Sequence, residues 1–223
     1  MGLIETGVKR SKKFGYITPY GIFPGFNKIY RETEPPESRK RLAEWASKQN
    51  DPDLYRRRGV LLHEVLEKGV LSNSGAIDLP DDISSIEPFL GAAMDFLEGF
   101  RDKYEVLLVE QGFYHIDGFG GTADLLLREK VSGKIILLDW KTARKRKNDR
   151  GLVKYQLQMV AYTYGLDYFL PKIGYNLPID EAMLIIFPEW KPAQIKTFSK
   201  NSVLKPRESL WKMRLQGYWE KVA

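Results

Sequence analysis

The chain contains no cysteine. That excludes disulfides, zinc–thiolate sites and iron–sulphur clusters, and it fits an intracellular protein. No apolar run approaches the roughly 18 residues of a membrane span, and no secretory leader is visible, so no membrane partner is expected. Repeats and low-complexity segments are also missing, which leaves an ordinary folded domain. Acidic residues are outnumbered: 29 Asp and Glu face 35 Lys and Arg, giving a net charge of +6 and a pI near 9.3. Such a balance favours a polyanionic partner. What the chain does have is core material. Its 223 residues are 43% hydrophobic with five Trp, twelve Tyr and eleven Phe, enough for one domain with at most a small addition.

The densest chemical signal runs from Gly120 to Lys141. Two apolar stretches of strand length, Gly-Gly-Thr-Ala-Asp124-Leu-Leu-Leu and Lys-Ile-Ile-Leu-Leu-Asp139-Trp-Lys141, flank a polar turn containing Ser132-Gly133. This pattern predicts a β-hairpin. The start of one antiparallel strand lies beside the end of its partner, so Asp124 and Asp139 become neighbours. Asp139 and Lys141, two positions apart, leave the same face of their strand. Two carboxylates forced together raise each other's pKa unless a cation relieves them. Hard divalent ions such as Mg²⁺ or Mn²⁺ suit oxygen ligands of this kind, and a nearby ammonium can orient a water or stabilise charge on a phosphate.

Elsewhere the chain offers weaker patterns. Residues 1–34 interleave Phe14, Tyr16, Tyr20, Phe23, Phe26 and Tyr30 with Lys9, Arg10, Lys12, Lys13, Lys28 and Arg31. Such rings either stack bases while the cations take phosphates, or simply cover the flank of the domain. A helix follows Pro35-Pro36 and closes at Asn50-Asp51-Pro52, and a second, amphipathic one starts near Asp53. On it His63 and Glu67 share a face, at i and i+4; a lone helical histidine is more often structural than a ligand. After a loop over 72–82, one helix is predicted from Ile83 to Lys103, packed through Phe89, Ala93, Phe96 and Phe100. Tyr104–Ile116 has strand character, carries Glu110 and places His115 at the surface.

After the hairpin come Arg144, Lys145, Arg146, Lys147, Arg150 and Lys154. Together with Lys141 these seven cations face one acid over fourteen residues. Their position directly after the hairpin acids favours phosphate binding over an idle solvated loop. A helix over 151–170 has Val153, Leu157, Val160, Ala161, Tyr164 and Tyr168 on its core side and Tyr155, Gln158 and Tyr162 on another. Two strands, Ala182–Phe187 and Gln194–Phe198, precede a last helix over 202–220 with Leu210, Met213 and Leu215 turned inward. The expected fold class is α/β, with a mixed central β-sheet flanked by helices.

Gly-Gly-Thr-Ala-Asp124 with Leu-Leu-Asp139-Trp-Lys141-Thr resembles the signature of the PD-(D/E)XK nuclease superfamily, in its RecB-like branch; Ala123 stands where the family name has proline. Gly59, His63 and Glu67 match the Gly-x-x-x-His-x-x-x-Glu motif of that branch, and Gln158 with Tyr162 matches its Gln-x-x-x-Tyr motif. Within the branch the chain is most similar to the mitochondrial genome maintenance exonuclease group and its bacterial and phage relatives. The resemblance implies a restriction-endonuclease-like core over 53–223, with residues 1–52 packing on it as part of one domain. It implies a Mg²⁺- or Mn²⁺-dependent deoxyribonuclease with one or two ions, an exonuclease preferring single-stranded DNA ends, in replication, recombination or repair and alongside other proteins of those processes. Its place would be the cytoplasm of a bacterial or phage-infected cell. Asp124, Asp139, Lys141 and Gln158 would be catalytic. His63, Asp124, Asp139 and the Trp140 carbonyl would hold metal, with Glu67 and Glu110 supporting. Tyr155, Tyr162 and Arg144–Lys147 with Arg150 would contact DNA. A structure-specific endonuclease with the same metal centre, or a catalytically silent DNA-binding module, is the alternative.

Overall fold

A computed structural model describes residues 2–11, 15–48, 51, 53–72, 79 and 81–223. Most of the loop expected over 72–82, the basic and aromatic positions 12–14, the turn residues 49, 50 and 52, and the side chains at 42 and 45 lie outside the described residues.

The N-terminal segment forms a small antiparallel sheet, β1 (Lys9–Ser11), β2 (Gly15–Thr18) and β3 (Gly21–Phe23), followed by helix α1 (Phe26–Glu32). Interleaved aromatic and basic residues here were expected to stack or to cover; Tyr16, Phe26 and Ile29 are in fact buried against the main body. Helices α2 (Pro36–Ser47) and α3 (Leu54–Leu71) match the expected pair. The single helix predicted over 83–103 is instead a 3₁₀ turn, then α4 (Glu87–Leu97) and a short α5 (Phe100–Lys103). The break falls at Gly99, whose φ of 64° is left-handed and ends a helix at little cost for glycine.

The main sheet has the order β4-β5-β6-β7-β8, formed by Tyr104–His115, Phe119–Glu129, Ile135–Ala143, Glu181–Pro188 and Gln194–Ser199. β4, β5 and β6 form an antiparallel meander, β6 and β7 are parallel, and β8 returns antiparallel, so the sheet is mixed. The parallel pair requires a crossover, supplied by helix α6 (Asp149–Lys172), whose start is capped by Asn148 accepting from the Gly151 N–H at 3.0 Å. Helix α7 (Glu208–Val222) closes the chain.

The run Ile135-Ile-Leu-Leu is buried on both sides because the sheet separates two apolar clusters. Ile135 and Leu137 pack with α6, α7 and α1; Ile136, Leu138 and Trp140 pack with α3 and α4. Several expected core positions differ. Val153, Leu210 and Met213 are exposed, while Leu152 and Trp211 are buried. His115, expected at the surface, is buried and stacks on Tyr164 with centroids 4.2 Å apart. Among the described residues no helix is long and apolar enough to cross a membrane.

Candidate metal centre and cleft

Three carboxylates fall in one row across three strands. The register pairs Val109 with Leu125 and Gln111 with Ala123, so Glu110 faces Asp124. The β5–β6 ladder ends at Leu125 opposite Leu138, and the next position outward sets Asp124 beside Asp139. Beyond that point β5 and β6 part, and the Asp124 carboxylate enters the gap, accepting the Trp140 backbone N–H at 3.0 Å. Acids directly opposite each other oppose folding unless something compensates them. Glu110 carries a further mark of design: its φ is 45°, left-handed and costly for a residue with a side chain, a few positions after the bulge at Leu107.

Helix α3 brings His63 to this row. Its Nε2 lies 3.1 Å from the Trp140 carbonyl, which can only accept, so Nε2 carries the proton. Nδ1 therefore presents its lone pair to Glu110 Oε1 at 3.6 Å and Asp124 Oδ2 at 4.0 Å. The His63, Glu110 and Asp124 ligand atoms all lie within 4.8 Å of one another. This donor set fits a hard divalent ion: two carboxylates, an imidazole fixed from behind, and a Glu110 oxygen that is buried with no hydrogen-bond partner.

Asp139 sits beside the three and is spoken for. It is fully buried, its Oδ1 accepts from Gln158 Nε2 at 3.1 Å, and Lys141 Nζ touches its Oδ2. Gln158 comes from α6, which lies over that face of β6. Burial pushes the Asp139 carboxyl up to about 6 against the pull of Lys141. Burial raises Asp124 as well, with Lys141 and His63 opposing. Burial alone would lower the Lys141 ammonium, but Asp139 and Asp124 override it and the net shift is upward. For His63, burial is likewise outweighed by Glu110 and Asp124, and its pKa rises. Glu67, one turn on from His63, is pushed up to about 7 by burial and by Glu110.

The site floors a cleft of about 930 Å³ lined by Glu110, Asp124, Lys141, Gln158 and Tyr162, by His63, Glu64 and Glu67 of α3, and by Arg10, Tyr16 and Lys28 of the N-terminal segment. Tyr16 ties that segment to β5, its hydroxyl 3.1 Å from Thr122 Oγ1. The glycine pair ahead of Thr122 makes this approach possible: a Cβ on Gly120 would fall 2.6 Å from the Tyr16 ring, and one on Gly121 2.4 Å from Phe113. Gly59 lines the cleft beside Thr142. Of the predicted site residues, then, His63, Glu67, Glu110, Asp124, Asp139, Lys141, Gln158 and Tyr162 converge. Tyr162 is buried between Phe26 and Phe113. Tyr155 is half-buried close enough to Lys141 and Asp139 for their charges to act on its hydroxyl. Arg144, Lys145, Arg146, Lys147 and Arg150 do not line the cleft. Arg10 and Lys28, which do, were noted only as part of the aromatic and basic interleaving; nothing local in the sequence says they face the acids.

The PD-(D/E)XK nuclease superfamily matches residues 89–173, the segment from α4 through β4, β5 and β6 to the end of α6. It holds Glu110, Asp124, Asp139, Lys141 and Gln158 but not His63, and it supports a nuclease. No curated protein matches the chain by sequence. Among solved structures the chain is similar to SSO0001, at 16% identity and TM-score 0.37, over 80% of this chain and 83% of that one. It is similar also to a phage-related exonuclease from Haemophilus somnus 129PT, at 11% identity and TM-score 0.38, over 89% and 93%. Likenesses of that size carry nothing about chemistry.

Proposed function

We propose that the protein is a divalent-metal-dependent deoxyribonuclease of the RecB-like branch, an exonuclease acting on DNA ends, preferentially single-stranded, in replication, recombination or repair. The observation that carries this reading is the row of Glu110, Asp124 and Asp139 at the floor of a cleft, met by His63 from one side of the sheet and Gln158 from the other. His63, Glu110 and Asp124 would hold Mg²⁺ or Mn²⁺, with Asp139 completing the charge. The bound ion would supply Lewis acidity toward a phosphate oxygen and a more acidic water.

The chain's own groups have distinct tasks. The Trp140 carbonyl fixes the His63 ring and keeps Nδ1 free. Gln158 holds Asp139, and Asp139 holds Lys141 in its charged form. A charged Lys141 donates hydrogen bonds: it orients the attacking water and stabilises the negative charge that builds as the water oxygen bonds to phosphorus and the P–O3′ bond breaks; the water loses its proton to solvent and O3′ gains one, leaving a 5′-phosphate and a 3′-hydroxyl. Arg10 and Lys28, across the cleft, are placed for neighbouring phosphates.

The test is digestion of end-labelled linear single strands and duplexes with Mg²⁺, Mn²⁺ or chelator, alongside circular single strands. Metal-dependent release from linear ends with circles left intact is expected. Cleavage that persists in chelator, or in both Asp124→Ala and Lys141→Ala, would refute the assignment, and cut circles would replace the exonuclease with an endonuclease.

A further inference from the structure

The cations that follow Lys141 stand outside the cleft, on a surface of their own. β6 ends at Ala143 and the chain turns outward through exposed Arg144, Lys145 and Arg146. β7 runs parallel beside it, Ala143 opposite Pro188, and turns through Glu189 and Trp190 toward β8. The two connections are strapped together. The Glu189 N–H donates to the Ala143 carbonyl at 3.0 Å, and Arg146 reaches the Pro192 carbonyl at 3.5 Å. The Lys147 N–H donates to Gln194 Oε1 at 2.9 Å, and Gln194 Nε2 returns to the Lys147 carbonyl at 2.8 Å.

On this platform stands Trp190, 70% exposed. Its φ of 55° is left-handed, a conformation bulky residues rarely adopt without compensation. The backbone is held there by the Trp190 N–H donating to the Pro88 carbonyl at 2.8 Å and by the Glu189–Arg58 ion pair at 2.8 Å. The fold thus maintains an uncommon backbone without burying the ring it presents. Exposed Lys191 follows it, and among the described residues Arg144, Lys145, Arg146 and Lys191 have no carboxylate partner. A solvent-facing indole on a held backbone, beside cations without carboxylate partners, matches what unpaired nucleotides require: a π-face for a base and positive charge for the backbone. The cleft lining reaches Lys141 and Thr142 on β6 and Arg56 and Val60 on α3 but includes none of Arg144, Lys145, Arg146, Trp190 or Lys191, and Arg58 of α3 is bonded to Glu189.

We infer that the β6–α6 and β7–β8 connections form a second binding face for single-stranded nucleic acid, in which a base stacks on Trp190 while Arg144, Lys145, Arg146 and Lys191 take the phosphates. The choice of polyanion rests on the nuclease reading; the binding itself does not need cleavage.

The test follows tryptophan fluorescence of the full chain, in chelator, as a thymidine homopolymer is added. Saturable quenching is expected, with no comparable quenching by a blunt duplex, whose bases are not free to stack. Trp190→Leu should remove most of the quenching and weaken binding about tenfold. Replacing Arg144, Lys145 and Arg146 together by Ala should flatten the slope of log affinity against log salt by about 2. Full quenching or unchanged affinity in Trp190→Leu, equal quenching by duplex, or an unchanged salt slope would overturn the proposal. Quenching that depends on Trp190 in a protein that cuts no DNA would sink the nuclease reading and leave this face standing. Cleavage with quenching indifferent to Trp190 would do the reverse.

Discussion

The two histidines of this chain, His115 buried and His63 half-buried at the cleft, sit in opposite chemical situations. His115 is walled by Phe119, Tyr164 and Tyr168, and its Nδ1 accepts the Asp117 N–H at 3.0 Å. Burial dominates there and its pKa falls. His63 has one nitrogen anchored to a carbonyl and the other facing two acids, and its pKa rises. What separates them is the company each ring keeps: aromatic rings, a backbone amide and the one exposed carboxylate of Asp117, 3.5 Å from Nδ1, in one case, and two acids at the floor of a cleft, Asp124 buried and Glu110 with an unbonded oxygen, in the other.

The sharpest way to break this contrast is to remove each ring. His63→Ala should lower metal-dependent cleavage by more than the roughly 10–100-fold that losing a group behind a metal ligand costs. His115→Ala should leave cleavage within a few-fold but lower stability by about 3 kcal/mol, through lost burial and ring stacking, as read by denaturant unfolding. If the two losses were interchanged, the assignment of roles would fail. Gln158→Ala should fall between them, with cleavage down about 10–100-fold through a misplaced Asp139 and little change in unfolding midpoint.

A subtler contrast concerns protons. In the metal-free protein His63 has a folded pKa above the unfolded value of about 6.5, so its contribution to stability is full below that value and lost as pH rises through the folded pKa. His115 is shifted the other way, so its contribution is present above about 6.5 and lost as pH falls. A two-dimensional NMR titration of the two imidazoles should show His63 titrating above that value and His115 below it. The same order in both rings, or its inversion, would remove the electrostatic basis for telling them apart.

The hairpin that joins Asp124 to Asp139 was legible because apolar runs, a Ser-Gly turn and strand alternation all agree locally. The α3 placement of His63 with Glu67 and the α6 placement of Gln158 followed from helical spacing. Glu110 was not legible to the same degree: its place in the row depends on a bulge at Leu107 and a left-handed residue, neither of which has a local sequence signal. His115 was misplaced because a polar residue near a strand end reads as exposed, whereas Tyr164 and Tyr168 arrive from α6, far along the chain. The break at Gly99 hid inside an apolar pattern that continues through it. The cationic run after Lys141 was read by its distance along the chain from the acids, and in space Arg144, Lys145, Arg146, Lys147 and Arg150 do not line the cleft that holds those acids.

Mn²⁺ binding followed by electron paramagnetic resonance tests the central claim most directly, in the intact protein without DNA. The account predicts saturable binding that is lost or at least tenfold weaker in His63→Ala, Glu110→Gln and Asp124→Asn, and unaltered in His115→Ala. Binding of equal strength in all four variants would mean that the row of acids and the ring above it do not form a metal site.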